Sequence, residues 1–78
     1  MNITYNELLE YLKLGDEIEF KYKNKKYSIN CGQKNWYLTE YYSVNQEFSD
    51  TNELLKYGRI DGKTIKEVWN DVEVTAIF

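Results

Sequence analysis

The chain has no histidine, no proline, a single cysteine and only four glycines among its 78 residues. Each shortage closes a line of interpretation. Without histidine, the usual general base, the usual activator of a nucleophile and the commonest nitrogen ligand of zinc are all missing. With Cys31 alone, no disulfide can form within the chain and cysteine-rich zinc sites are excluded, which points to a reducing compartment. No apolar run approaches the roughly 18 residues of a membrane span. Met1 to Lys13 carries Glu7 and Glu10 where an export signal would set basic residues ahead of an apolar stretch. The absence of proline, with Asn, Lys, Tyr and Ile abundant, marks an AT-rich coding sequence. The expectation is one domain over 1–78, cytoplasmic, clear of membranes and without metal or cofactor.

What is present describes a folding chain. Apolar residues make up 42% and aromatics 17% of the sequence, too rich for disorder, although so small a core supplies only roughly 4 to 8 kcal/mol of net stability. The net charge of −3 weighs against non-specific nucleic-acid binding. Charge is also segregated. Residues 1–19 hold Glu7, Glu10, Asp16, Glu17 and Glu19 against Lys13, while residues 20–39 hold Lys21, Lys23, Lys25, Lys26 and Lys34 with no acid.

Thr4-Tyr5-Asn6-Glu7 has the form of a capping box, with Ile3 and Leu8 placed as a hydrophobic staple, so a helix begins there and ends near Leu14, before Gly15. From Glu17 the apolar period changes to two. Ile18, Phe20 and Tyr22 form one strand face; after a turn around Asn24, Tyr27, Ile29 and Cys31 form the next, giving a β-hairpin. Gly32 to Asn35 turns the chain into a strand over Trp36 to Tyr42, with Trp36 and Leu38 on one face and Tyr37, Thr39 and Tyr41 on the other. Ser43 to Ser49 reads as a surface loop. A short helix capped at Asp50 ends at Gly58, and Ile60 plugs the core. Asp61 is the expected cap of a third helix burying Ile65, Val68 and Trp69. Val72, Val74 and Ala76 then alternate into a last strand. The expected fold is α+β, order αβββααβ, with a mainly antiparallel three- or four-stranded sheet and helices packed on one face.

Candidate chemistry is sparse. Gly62-Lys63-Thr64 ends like a phosphate-binding loop, but Tyr57 stands where that loop requires glycine. Glu17, Glu19 and Glu73 fit cross-strand pairing with lysines better than an acid/base pair. Cys31 shares the parity of Tyr27 and Ile29 and is expected to be a buried, inert thiol. No catalytic residue is expected. Lys21, Lys23, Lys25, Lys26 and Lys34, interleaved with aromatics, form an alternative basic patch of the kind that holds single-stranded nucleic acid; the parity of Tyr22 and Tyr27 turns those rings inward, which favours a solvated hairpin edge. Eight tyrosines exceed what a small core can absorb. Tyr37, Tyr41, Tyr42 and Phe48 are therefore the candidate contact surface for a partner.

At Trp36-Tyr37-Leu38, Asp50 to Leu55 and Ile60 to Val74 the chain resembles small proteins of low-GC Gram-positive bacteria and their phages or mobile elements, a group that brings no established activity. The resemblance implies a bacterial cytoplasm. Together these features predict a non-enzymatic protein-interaction module whose partner is another protein, a second copy of the chain being one candidate. The alternatives are a phage or mobile-element inhibitor of anti-defence type, occupying a host nucleic-acid-binding protein through its acidic groups, and, third, nucleic-acid binding by the lysine-rich hairpin.

Overall fold

The computed structural model describes residues 2–41, 43 and 45–78. Their elements run α1 (Tyr5–Lys13), β1 (Ile18–Tyr22), β2 (Lys25–Cys31), β3 (Trp36–Glu40), β4 (Asn45–Phe48), α2 (Thr51–Tyr57), α3 (Ile65–Val68), a 3-10 turn at Trp69–Asp71, and β5 (Glu73–Ile77). The α+β class is as expected, but the sheet has five strands in the order β4-β3-β2-β1-β5, every neighbouring pair antiparallel.

The strand that the sequence reading misses is β4. Asn, Gln and Glu are weak strand formers, and the pairing is decided by partners elsewhere. The backbone of β4 joins β3 from Trp36↔Phe48 to Thr39↔Asn45. The Gln46 amide also clamps the backbone of Arg59: Nε2 donates to the carbonyl at 2.7 Å, and the Arg59 N–H donates to Oε1 at 2.9 Å.

Local signals set most of the remaining boundaries. In α1 the Thr4 hydroxyl accepts from the Glu7 N–H at 3.0 Å, and the Glu7 carboxylate accepts from the Thr4 N–H at 2.8 Å. At its other end Gly15 takes φ +85°. The Gly15 N–H then reaches the Leu12 carbonyl and the Asp16 N–H reaches Tyr11, a full Schellman closure that a left-handed residue makes possible. Between β1 and β2, Lys23 and Asn24 take φ 49° and 65°, the signs of a two-residue type I′ hairpin turn.

The start of α3 departs from expectation. Asp61 caps no helix; with φ 53°, beside Gly62 at φ 76°, it forms a second tight turn in which Ile60 and Lys63 exchange backbone hydrogen bonds. The cap is Thr64, whose hydroxyl accepts from the Glu67 N–H while the Glu67 carboxylate accepts from the Thr64 N–H. Gly62-Lys63-Thr64 is thus a turn followed by a cap.

The helices cover one sheet face. Leu8 and Leu12 of α1, Leu54 of α2, and Ile65, Val68 and Trp69 form one cluster with Ile18, Phe20, Tyr22, Tyr27, Ile29, Leu38 and Val74 of the strands. Ile60 is buried among them, as expected. The Trp69 indole N–H donates to the Ile3 carbonyl at 2.8 Å and ties the segment before α1 to the far helix. At the centre, Phe20 stacks on Tyr27 at 5.5 Å and meets Trp69 edge-on at 5.5 Å.

One buried group in this cluster has no partner. The Tyr27 hydroxyl makes no hydrogen bond among the described residues, although Glu40 faces it across the β2–β3 pair. Burial first, and then the Glu40 carboxylate, push the phenol up from 10.0 to about 12. A folded pKa above the unfolded one means that the native state keeps a proton the unfolded chain releases. Stability is therefore full below pH 10 and falls as pH rises toward about 12. Tyr27→Phe is expected to change stability at neutral pH by no more than about 1 kcal/mol, because the hydroxyl has no well-formed hydrogen bond to lose, and to flatten that alkaline loss. Urea midpoints measured across the alkaline range check both effects.

Candidate protein-binding face

Among the described residues, the other face of the sheet carries no helix. Residues directly opposite across neighbouring strands share a face, so the registers assemble it in rows. The middle row is Ala76–Glu19–Ser28–Thr39–Asn45, running from β5 to β4. On one side, Glu17 exchanges both backbone hydrogen bonds with Phe78, its register continues to Asn30, and Asn30 is followed by Tyr37 and Glu47. On the other side run Glu73, Lys21 and Lys26, with Tyr41 added where its N–H donates to the Lys26 carbonyl at 3.0 Å.

These side chains are ordered among themselves. Asn30 donates from Nδ2 to the Ser28 hydroxyl at 2.7 Å and to the Thr39 hydroxyl at 3.2 Å. Tyr41 reaches over β2, and its hydroxyl donates to the Glu19 carboxylate at 2.9 Å. With Asn30 bonded to it, Ser28 is only 7% exposed, although no helix covers it. Glu47 is held at the edge by the Asn35 amide. The Glu19 carboxylate, and to a lesser degree burial, push the Tyr41 phenol above its ordinary value, so at neutral pH it is a donor and not a base.

The expected contact residues are divided by this arrangement. Tyr37 and Tyr41 share the open face as their parity requires, and Tyr41 is 38% exposed. Tyr42 lies outside the described residues. Phe48 pairs with Trp36 and packs against the helix-side core, so it belongs to the opposite face. Phe78, 66% exposed, is the aromatic the sequence reading misses. The cause is a bulge: Glu19 pairs with Ala76 but Phe20 with Val74, which leaves Thr75 as an extra residue. Strand parity reverses there. Val74 stays in the core, whereas Ala76, expected beside it, turns to the open face with Phe78.

The basic patch is dispersed. Lys21 and Lys26 stand side by side on the open face, while Lys25 turns to Asp61 at 3.9 Å. Lys23 lies over the Tyr22 ring at the hairpin turn, and Lys34 sits in the turn at the other end of β2, a strand of seven residues or roughly 20 Å. Tyr22 and Tyr27 are buried as predicted.

Cys31 corrects another expectation. It is exposed, because it ends β2 beyond the helices; parity assigns a face, and only cover buries it. Its N–H donates to Glu17 at 3.0 Å and its thiol lies 3.6 Å from the same carboxylate oxygen. Partial burial and the Glu17 carboxylate push the thiol pKa up, the direction opposite to nucleophile activation.

Among the described residues no group of His, Cys, Asp and Glu side chains is arranged to hold a metal ion, and no helix is long and apolar enough to cross a membrane. No family model matches the chain, and no curated protein or solved structure matches it either.

Proposed function

We propose that this chain is a non-enzymatic interaction module of the bacterial cytoplasm that binds another protein through its open sheet face. One observation carries the reading: a helix-free face on which Tyr37, Tyr41 and Phe78 frame a polar centre already joined by hydrogen bonds. Side chains fixed before binding lose little entropy on association, and tyrosines bring large contact area with few rotatable bonds. The titratable groups support the same reading, since Tyr41 and Cys31 are both shifted toward their protonated, unreactive forms. The separation of Lys34 and Lys25 from Lys21 and Lys26 weakens the nucleic-acid alternative.

Affinity capture from the native cell with three baits tests the proposal. Proteins held by the wild type and by Tyr57→Ala, a change at an exposed α2 position, are expected to be lost with Tyr37→Ala/Tyr41→Ala. Circular dichroism verifies that the double variant is folded. The same proteins recovered on all three baits would place the interface elsewhere.

A further inference from the structure

The open face is acidic on one side of Tyr41, whereas on the other it sets Lys21 and Lys26 beside Glu19 and Glu73. Toward Phe78 lies a hollow of about 250 Å³ lined by Glu17, Glu19, Asn30, Tyr41 and Phe78. Toward the hairpin lies one of about 310 Å³ lined by Glu19, Lys21, Lys26, Tyr41 and Thr75. Among the described residues the one ion pair within 4.0 Å is Lys25–Asp61, so none of Glu17, Glu19, Lys21 and Lys26 is held in a direct ion pair, although Glu73 lies opposite Lys21. Two carboxylates beside two aromatic rings make a receptor for a cationic side chain, through charge-assisted hydrogen bonds and cation–π attraction.

The same face supplies such a cation, in the mirror position. A two-fold axis laid along the Ala76–Glu19–Ser28–Thr39–Asn45 row turns a second copy over, keeps each strand position opposite itself, and exchanges the two flanking rows. Glu17 then faces Lys21 of the second copy, Asn30 faces its Lys26, and Tyr37 faces its Tyr41; every contact occurs twice, as an isologous interface requires. Along the axis Ala76, Ser28 and Thr39 are small and leave a trough between sheets packed about 10 Å apart, while Glu19 faces its own symmetry mate there and depends on the flanking Lys21 of each copy for compensation. Resting on the reading of this face as a protein-binding surface, we propose that the partner it fits is a second copy of this chain, docked face to face with Lys21 of each copy in the Glu17–Glu19 hollow of the other.

The test is a charge exchange read by sedimentation equilibrium. The wild type is expected to rise from 9.4 kDa toward twice that mass with concentration, and to fall back at high salt. Lys21→Glu/Lys26→Glu and Glu17→Lys/Glu19→Lys should each weaken association at least about tenfold, because like charges are then apposed. Their equimolar mixture should associate again, since both sets of contacts become complementary. These positions are exposed or half-buried, so the variants should fold, as circular dichroism would verify. A wild type that stays at 9.4 kDa at every concentration overturns the dimer, as does a mixture no tighter than its components. If the wild type were monomeric while Tyr37→Ala/Tyr41→Ala still abolished capture of a cellular protein, the dimer would fail and the binding face would stand.

Discussion

Phe20→Ala is expected to remove more than half of the chain's stability at 25 °C. Phe20 is 1% exposed, stacks on Tyr27 and meets Trp69 edge-on, so truncation removes the ring that joins sheet to helices. Large-to-small changes at such sites cost about 3 to 5 kcal/mol, the lost transfer free energy plus the cavity. The whole domain has roughly 4 to 8 kcal/mol to lose. The surrounding elements cannot collapse into the gap, because β1 is pinned between β2 and β5 on both edges. Urea denaturation followed by tryptophan fluorescence checks this. A pre-transition baseline as long as that of the wild type would show that Phe20 is not the keystone described.

Gly58→Ala is the second large effect, about 2 to 3 kcal/mol, for a reason unrelated to backbone freedom. Gly58 has φ −63° and ψ 141°, which any residue adopts. A Cβ there would lie 2.5 Å from the Leu54 carbonyl oxygen, 3.2 Å from Leu38 Cδ2 and 3.6 Å from Ile65 Cδ1. Relief means moving the end of α2 away from β3. Gly15 supplies the contrast: it has φ +85° and nothing within 4 Å of an added Cβ, so Gly15→Ala should cost only about 1 kcal/mol of backbone strain. Midpoints that order the two variants the other way would contradict the close approach at Gly58.

Where the sequence was legible, the determinant was local. Thr4 and Glu7 close their own capping box, Asn24 accepts a left-handed turn, and the alternation of Ile18, Phe20 and Tyr22 against Glu19 and Lys21 separates a buried from a solvated face. Two tyrosines of the candidate surface, Tyr37 and Tyr41, follow from the same period-two rule. Asp61 shows the limit of local reading. As an acceptor ahead of an apolar helix it is a good cap, yet Thr64 has the same chemistry three residues later together with Glu67 as reciprocal partner.

The sequence by itself determined the class of the fold, the places where α1, α2 and the first hairpin begin, and the residues too apolar to stay in water, because each depends on neighbours within a few positions. Only the tertiary structure decided that Asn45–Phe48 pairs with β3, that a bulge at Thr75 sends Phe78 to the open face, and that Phe48 goes to the opposite one. It also decided that Cys31 lies beyond the helical cover. Those outcomes depend on which distant backbone completes an edge and which surface a helix happens to cover. Strand parity states only that two faces exist; packing selects the one left open.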